Sequence, residues 1–503
     1  MNKIFGVLLA ATLVLGALIV TASPVSADGT TVDVPGDFST IQEAVDAAKP
    51  GDTIRVEAGE YEAFLVLEKT NISIIGEVGT VVTSADSVAI NRGPIEDAWT
   101  MAAVKDSQNI EIQGIEFDGT ALSGHDDHRE VVVGVAYVDS TGRITDVTAD
   151  NIAGTQLGVG VAVIGDAGAS VVNLLRVTVS NCMAGVIIWD AEASLDACIT
   201  TGMKPNGGFG IMDRGVGIVI GIPGLVWSGP STVSVKGSTI SDNGIGIFVC
   251  DGSTLEARFN NIFGNAALGV VNDGAQTVDA IHNWWGDAAG PFGPEGNAVS
   301  EDVGFIPWTP SRTVTETVTN RTVDARQEAD TEVDVKGTAT VTVAKYAENP
   351  GEPSDATLLH KWVDVYAPDT GEVEEIEIRL HYTADEVGDV SELVQRYLRL
   401  FWWDGDEWKE CSDSGVNTTS RYMWARIRAD TTPSLADLHG MPVDGGVAGP
   451  TPPSGPCGGG WSSLASVGLI WAVFYCVSLR HRYRKRAGHA AGVLRRWPSC
   501  RTA

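Results

Sequence analysis

The stretch GSTISDNGIGIFV at residues 237–249 decides the fold, because the same pattern recurs along the chain. It consists of a short run of β-forming residues, an Asn or Asp, a Gly, and a second β-forming run. Three further stretches share this order, namely DVTADNIAG at 146–154, RVTVSNCMAGVII at 176–188 and FNNIFGNAALGVV at 259–271. A unit that recurs in this way indicates a repeat architecture.

The distance between equivalent positions gives the size of one repeat. Ile240 and Ile262 are 22 residues apart, and Val147 and Val177 are 30 residues apart. A β-rich unit of this length with Asn and Gly at its corners is typical of one coil of a parallel β-helix, because both residue types tolerate left-handed backbone conformations. The 3.6-residue period is absent after Lys49, which excludes helical repeats.

One amphipathic helix precedes the repeats. Ser39 and Gln42 have the spacing of a capping box, so the helix is predicted to begin at Ser39. An apolar stripe follows at helical spacing, formed by Ile41, Ala44, Val45 and Ala48. A single helix of this length is marginal by itself. We therefore expect it to cover the open end of the stack of strands, where uncovered edges invite aggregation.

Two segments carry a family resemblance. The sequence GDFSTIQEAVDAAKPGDTIRVEAGEYEAFLVLEKTNISIIGE at 36–77 resembles the opening of pectin lyase-like proteins, including the pectinesterases. The sequence NWWGDAAGPFGPEGNAVSEDVGFIPW at 283–308 is similar to the closing segment of bacterial and archaeal surface β-helix proteins. The resemblance implies a right-handed parallel β-helix over residues 28–310, with the helix as its N-terminal cap and any chemistry on the outer face of the stacked sheets.

The esterase activity is not implied. Pectinesterases use a pair of Asp with a supporting Arg and Gln, and no Gln-bearing strand with a following Asp occurs at the matching coils. The fragment IFGNA at 262–266 is preceded by Asn260 and Asn261, where the family has an Asp.

The remaining segments predict the domain layout. Residues 311–445 contain strand-like runs without a repeat and are expected to form an accessory β-sandwich. A Pro/Gly linker at 446–460 leads to an uncharged stretch at 461–479, which is long enough to be a transmembrane helix. The basic residues at 480–503 predict a cytoplasmic tail, and residues 1–27 read as a signal peptide. We thus expect an exported, single-pass membrane protein at the cell surface, whose anchor is either permanent or removed by processing.

The charge is divided in the same way. All 65 Asp and Glu residues lie between the two apolar segments, together with 34 − 9 = 25 of the Lys and Arg residues, so the exported region carries 25 − 65 = −40. Such a surface disfavours nucleic acid as a partner. It would also repel a polyuronate unless cations bridge the two.

Two groups of residues are candidates for chemistry. One is an acidic loop with imidazoles that has the ligand types for Ca²⁺, formed by Asp118, His125, Asp126, Asp127 and His128. The alternative for this loop is solvated surface. The other group holds the catalytic candidates, which are Asp146 and Arg176 at equivalent positions of two coils and Asp213 and Arg214 beside the longest insertion. A cross-strand ion pair is the alternative for Asp146 and Arg176.

Aromatic residues are candidates for stacking on sugar rings, and they are Trp189, Trp227, Trp402 and Trp403. Core packing is the alternative for each. An alternating strand cannot bury Trp402 and Trp403 on one face, so one of them is expected at a surface or an interface. Trp284 and Trp285 are expected to close the C-terminal end of the solenoid.

These features predict a cell-surface β-helix protein that recognises or scaffolds a polysaccharide. The alternative is a Ca²⁺-assisted polysaccharide lyase or a related glycan-modifying enzyme, which the resemblance alone implies. Ca²⁺ is the one cofactor expected, and a glycan and the membrane are the expected partners.

Overall fold

The computed structural model describes residues 29–88, 98–122, 130–166, 170–205, 214–222, 229–351, 357–387 and 395–447. The predicted signal peptide, apolar span and basic tail lie outside these ranges. No helix among the described residues has the length and apolarity needed to cross a membrane.

The first part of the described chain consists of short strands. The elements of the first coils are β1 (Thr31–Val34), α1 (Ile41–Ala47), β2 (Thr53–Val56), β3 (Gly59–Tyr61), β4 (Phe64–Leu67), β5 (Thr70–Gly76), β6 (Thr80–Val82), β7 (Asp86–Ser87), β8 (Trp99–Lys105), β9 (Gln108–Gln113), β10 (Glu116–Asp118) and a 3₁₀ turn at Gly119–Leu122. The middle coils contain β11 (Val131–Val138), β12 (Thr141–Thr145), β13 (Thr148–Asp150), β14 (Leu157–Ile164), β15 (Ser170–Leu175), β16 (Thr178–Ser180), β17 (Ala184–Trp189), β18 (Ala191–Asp196) and β19 (Ile199–Thr201). The last coils contain β20 (Val216–Ile220), β21 (Thr232–Lys236), β22 (Thr239–Ser241), β23 (Ile245–Val249), β24 (Thr254–Arg258), β25 (Asn261–Phe263), β26 (Leu268–Asn272), β27 (Val278–Asp279) and β28 (Val303–Gly304).

These strands pair into three parallel sheets. The first sheet has the order β1-β2-β5-β9-β12-β15-β18-β21-β24-β27-β28, the second β3-β6-β10-β13-β16-β19-β22-β25, and the third β4-β8-β11-β14-β17-β20-β23-β26. Successive coils add one strand to each sheet, which is the architecture of a parallel β-helix. Inward-pointing apolar side chains of all three sheets form one continuous core. The all-β class and the stacked parallel strands are confirmed, and the right-handed coil stays a prediction.

Helix α1 covers the N-terminal end of this stack. Ile41, Ala44 and Val45 are buried in the core of the solenoid. Gln42 meets the edge of the third sheet, where its Oε1 accepts from the Leu65 N–H at 2.7 Å and its Nε2 donates to the Leu65 carbonyl at 3.1 Å. The helix thereby satisfies backbone groups of β4, the edge strand that would otherwise be open to further pairing.

The start of α1 differs from the expectation by one residue. The N-cap is Thr40, whose hydroxyl accepts from the Glu43 N–H at 3.1 Å, and Glu43 accepts from the Ser39 N–H at 3.0 Å. Gln42 is therefore not the partner of Ser39, because its side chain binds the strand edge instead.

All three corners of the coils contain residues in the left-handed region, and those between the third sheet and the next coil include Asp106, Asp139 and Asp190. Those between the first and second sheets are Gly114, Asp146, Arg176, Ala197, Gly237, Phe259 and His282. Those between the second and third sheets are Asn151, Asn181, Gly202, Asp242, Gly264 and Gly286. The prediction of Asn and Gly at corners is confirmed between the second and third sheets, whereas the corner between the first and second sheets also admits charged and aromatic residues.

The buried asparagines of the last coils have a different role. The Asn265 Oδ1 accepts from the Asn243 N–H at 3.1 Å, and the Asn297 Oδ1 accepts from the Asn265 N–H at 3.3 Å. A second ladder of the same kind joins Ser238, Asn260 and Asn283. Each side chain thus pairs with a backbone N–H of the coil before it, so the corners leave fewer buried polar groups unpaired.

The third sheet contains a column of glycines, which are Gly134, Gly160, Gly185, Gly217, Gly246 and Gly269. A Cβ at Gly185 would lie 2.3 Å from the Gly217 carbonyl oxygen, and one at Gly217 would lie 2.7 Å from the Gly246 carbonyl oxygen. The column therefore leaves no room for a Cβ at Gly185 and Gly246, which explains the Gly of two of the sequence repeats.

The second unit is antiparallel. Its elements are β29 (Val314–Thr319), β30 (Thr322–Ala325), α2 (Arg326–Ala329), β31 (Thr331–Lys345), β32 (Thr357–Leu358), β33 (Val363–Tyr366), β34 (Val373–His381), α3 (Ala384–Val387), β35 (Leu398–Trp403), β36 (Trp408–Glu410), β37 (Ser414–Asn417), β38 (Tyr422–Ile427), a 3₁₀ turn at Leu435–Asp437 and β39 (His439–Val447). Strand order is β36-β35-β39-β33-β31-β34-β38-β37, and the long β31 belongs to both layers around a separate apolar core. This is the predicted β-sandwich, and its last strand extends two residues past the expected boundary at 445.

The glycine column gives a stability prediction. We expect Gly185→Ala to lower the free energy of unfolding by about 1–3 kcal/mol, because the new methyl group must push two coils apart. The matched control is Gly59→Ala, since the nearest atom to a Cβ there is 3.5 Å away. Chemical denaturation of the two variants measures the difference. An equal stability loss in both would contradict the role of the column.

Candidate functional site

The sandwich docks on the corner between the first and second sheets. The Arg176 Nη1 donates to the Thr340 Oγ1 at 3.0 Å, and the Thr315 Oγ1 donates to the Gly237 carbonyl at 2.9 Å. A ring cluster joins the two units beside these contacts, with Tyr346 4.8 Å from His282 and 5.8 Å from Phe259 between ring centroids. Corner residues of the solenoid are therefore interface residues.

The catalytic candidates Asp146 and Arg176 lie in this region. Arg176 donates to both carboxylate oxygens of Asp146, at 2.5 and 2.7 Å. The hydrogen bond to Asp146 raises the pKa of the guanidinium. The geometry is that of the ion-pair alternative, and it ties both groups to each other and to the docked sandwich. Of the other two candidates, Arg214 is exposed and Asp213 lies outside the described residues.

The structure describes one residue of the predicted metal group. The Asp118 Oδ1 accepts from the Thr120 N–H at 2.9 Å and from its hydroxyl at 2.6 Å. His125, Asp126, Asp127 and His128 lie outside the described residues. Within the described ranges, no three His, Cys, Asp or Glu side chains are grouped to hold a metal ion, and the Ca²⁺ site stays a prediction.

The described tryptophan candidates are packed. Trp189 is buried on the outer face of the third sheet. Trp402 packs against the sandwich core, whereas Trp403 is on the opposite face, 5.8 Å from the ring of Trp408. The strand thus separates the two rings as its alternation requires, but both are half-buried. Trp227 lies outside the described residues. At the C-terminal end of the solenoid, Trp285 is fully buried in the core.

A cleft lies on the outer face of the first sheet, and sequence reasoning did not single it out. It has a volume of about 310 Å³ and crosses β15, β18, β21 and β24. Along its floor, strand register aligns four side chains that we call the polar row, which are Asn173, Ser194, Ser234 and Glu256. A parallel row next to it consists of Glu192, Thr232 and Thr254. Neighbouring strands are about 4.8 Å apart, so the polar row repeats at that spacing along the solenoid.

The docked sandwich lies next to this cleft. Asp196 is two residues beyond Ser194 on β18, and its Oδ1 accepts from the Tyr366 hydroxyl at 2.6 Å. Two residues span about 7 Å along a strand, so the docked sandwich begins next to the polar row. Burial beneath the sandwich raises the pKa of Asp196.

The charges beside the cleft are largely paired. Glu256 is 3.2 Å from the Arg258 Nε and 3.6 Å from the Lys236 Nζ. Arg258 also donates to the Asp279 Oδ2 at 2.6 Å. The cations at this end of the row are thus neutralised, and Asn173, Ser194 and Ser234 leave its centre uncharged. The centre of the row thus offers hydrogen bonds from uncharged groups, whereas Glu192 of the adjacent row is an exposed carboxylate.

No family model matches the sequence, and neither does any curated protein. Among solved structures, similarity is found to pectin methylesterase PemA from Erwinia chrysanthemi, with 13% identity, a TM-score of 0.26, and coverage of 50% of this chain and 82% of that chain. Pectin methylesterase from carrot has 18% identity, a TM-score of 0.25, and coverage of 50% and 84%. The enzymatically active domain of tailspike protein 2 from bacteriophage CBA120 has 12% identity, a TM-score of 0.34, and coverage of 84% and 81%. At such identities and TM-scores, these similarities carry no inference about the activity of this chain.

The interface also buries a carboxyl group. Asp364 on β33 is almost completely buried, and its Oδ2 accepts from the Tyr346 hydroxyl at 2.6 Å. Burial raises the pKa of Asp364 to about 7, although Tyr346, Lys236 and Arg258 act in the opposite direction. The group is therefore neutral in the folded protein under acidic conditions and ionised above neutrality.

This burial predicts a pH dependence. The folded pKa of Asp364 exceeds the ordinary value of 3.8. The free energy of unfolding should therefore fall as pH rises from about 4 to 7, by at most about 1.4 kcal/mol for each pH unit. Asp364→Asn should flatten this decline, as measured by denaturation between pH 4.5 and 8. The control Asp406→Asn changes an exposed carboxylate and should retain the wild-type slope. A slope unchanged in Asp364→Asn would contradict the assignment.

Proposed function

We propose that this protein is a surface-anchored polysaccharide-binding protein, and that its ligand lies along the polar row of the first sheet. The proposal rests on one observation. Asn173, Ser194 and Ser234 form a straight, solvent-accessible line of amide and hydroxyl groups in a cleft beside the docked sandwich. A polysaccharide is a regular polymer of hydroxyl-bearing rings and can hydrogen-bond to such a line at successive positions.

The scaffold favours this kind of recognition. Each row member is on a strand that is hydrogen-bonded on both sides, so binding orders few protein groups. A single neutral hydrogen bond contributes only about 0.5–1.5 kcal/mol. Affinity therefore depends on several coils contacting one polymer, and an extended ligand is preferred over a monosaccharide.

The charge arrangement favours binding over catalysis. Acid–base chemistry needs a proton donor or acceptor positioned on the substrate. Beside the polar row, Glu256 is engaged by Lys236 and Arg258, and Asp196 is engaged by Tyr366, which leaves Glu192 as a single exposed carboxylate in the cleft rather than a pair. Asp146 and Arg176 bind each other at the interface. A Ca²⁺-assisted lyase remains the alternative that the opening motif implies.

We further propose that the polar row faces outward from the cell. The supporting features are the apolar segment before residue 28, the linker at 446–460, and the uncharged stretch at 461–479 followed by basic residues. Basic residues are retained on the cytoplasmic side of a span. The sandwich then lies between the membrane and the solenoid in the chain order.

Glycan binding by the cleft gives one test. We expect at least one soluble polysaccharide in the gel to retard the migration of the full chain, in detergent, during affinity electrophoresis. The double variant Asn173→Ala with Ser234→Ala should bind that polysaccharide at least tenfold more weakly. The control pair, Thr148→Ala with Thr178→Ala, removes two outward hydroxyls from the second sheet and should bind as wild type. Unsaturated products released with Ca²⁺ would instead favour the lyase.

Topology gives another test. When intact cells are treated with protease, peptides from 28–447 should be released, and mass spectrometry of the envelope should recover peptides from 480–503 in stoichiometric amount. Residues 480–503 should be protected from the external protease because a cytoplasmic tail lies behind the membrane. A mature C-terminus near Cys457 would show that the anchor is processed, and release of the tail by external protease would contradict the proposed orientation.

A further inference from the structure

Arg143 extends the polar row by one strand. On β12 it is in register with Glu111 of β9 on one side and with Asn173 of β15 on the other. Its side chain is on the outer face of the first sheet and is half-buried. From Glu111 onward the outward residues are therefore a carboxylate, the Arg143 guanidinium, an uncharged centre and Glu256.

The other cations on described strands of the β-helix are engaged. Arg55 binds Asp33 at 2.7 Å, Lys236 is 3.6 Å from Glu256, and Arg258 binds Asp279 at 2.6 Å; Lys105 also has a partner. In the part of the chain that the structure describes, the Arg143 guanidinium has neither an ion-pair nor a hydrogen-bond partner. Its neighbour Glu111 accepts instead from the Ser73 hydroxyl at 3.1 Å.

An unpaired guanidinium is unexpected in this region. The exported part of the chain carries a net charge of 25 − 65 = −40, so carboxylate partners are abundant. A guanidinium presents several donors in a planar fork that matches a carboxylate or a sulfate group. A free fork beside the uncharged centre of the polar row is suited to an anion that the ligand supplies.

We propose that Arg143 determines specificity for an anionic substituent on the polysaccharide that occupies the polar row. The proposal rests on the proposed function and specifies its substrate class. The anions must be sparse, because Glu192 lies further along the cleft and Glu111 lies in register beside Arg143, and both carboxylates repel a polymer with one anion on every ring. The ligand class is thus a mainly neutral glycan with isolated carboxylate or sulfate groups.

Matched polymers test the proposal on the full chain in detergent. The probes are a soluble linear β-glucan and its lightly carboxymethylated and lightly sulfated derivatives. We expect wild type to bind a derivative roughly tenfold more tightly than the parent glucan, and Arg143→Gln to lose that preference while retaining its affinity for the parent. Arg143→Lys should keep part of the preference, since it retains the charge but not the fork.

The control is Lys204→Gln, which removes the same charge from an exposed loop residue. It should keep the wild-type preference. If Arg143→Gln and Lys204→Gln behave alike, or if wild type binds all three polymers equally, Arg143 has no specific role and the proposed function still stands. If wild type binds none of the polymers, both proposals are overturned. The preferred derivative distinguishes carboxylate from sulfate as the source of the anion.

Discussion

The close stacking of one coil on the next is the constraint on which the rest of this structure depends. At the glycine column of the third sheet, a Cβ on Gly160 would already lie 2.9 Å from the Gly185 carbonyl oxygen. A Cβ there would also lie 2.1 Å from the Val179 Cγ1, so the column leaves no room for a side chain, and side chains elsewhere must fit the same coil spacing. The corner ladders show how they do so, since the Asn260 Oδ1 accepts from the Ser238 N–H of the preceding coil at 2.9 Å. Each coil thus positions its successor through polar contacts as well as through the apolar core.

This stacking turns sequence positions into straight columns, and the columns create the surfaces. Asn173, Ser194 and Ser234 are separated by 21 and 40 residues along the chain, yet strand register places them in one line. The corner column has a comparable effect on the sandwich. Arg176, Gly237 and Phe259 share a backbone conformation and present successive contacts to one docked domain. Of these two neighbouring columns, the corner column is covered by the sandwich and the polar row is left open.

The sequence was informative where physical chemistry is local. The repeat pattern predicted the parallel stack, and the apolar stripe of Ile41, Ala44 and Val45 predicted the buried face of the capping helix. The predicted N-cap of this helix was wrong by one residue. The side chain of Gln42 binds the edge strand instead of the helix start, and no local sequence pattern encodes that contact. The polar row was missed because insertions of variable length hide its period. Alternating small polar residues in the strands of the first sheet were the available signal, but their alignment depends on register that only the folded coil defines.

The burial of the three sheets explains why the first sheet provides the candidate surface. Strands of the third sheet, such as β17, β20 and β23, are buried along their whole length. Their outward residues form a second apolar cluster that includes Ile187, Val219 and Phe248. Strands buried on both faces read as continuous apolar runs, whereas a strand with a solvated face alternates. Strands β21 and β24 do alternate between buried and accessible residues. Polar groups can be repeated at every coil without a desolvation cost only where the outer face stays in water. In the described part of the solenoid, the first sheet meets this condition over the longest uninterrupted row.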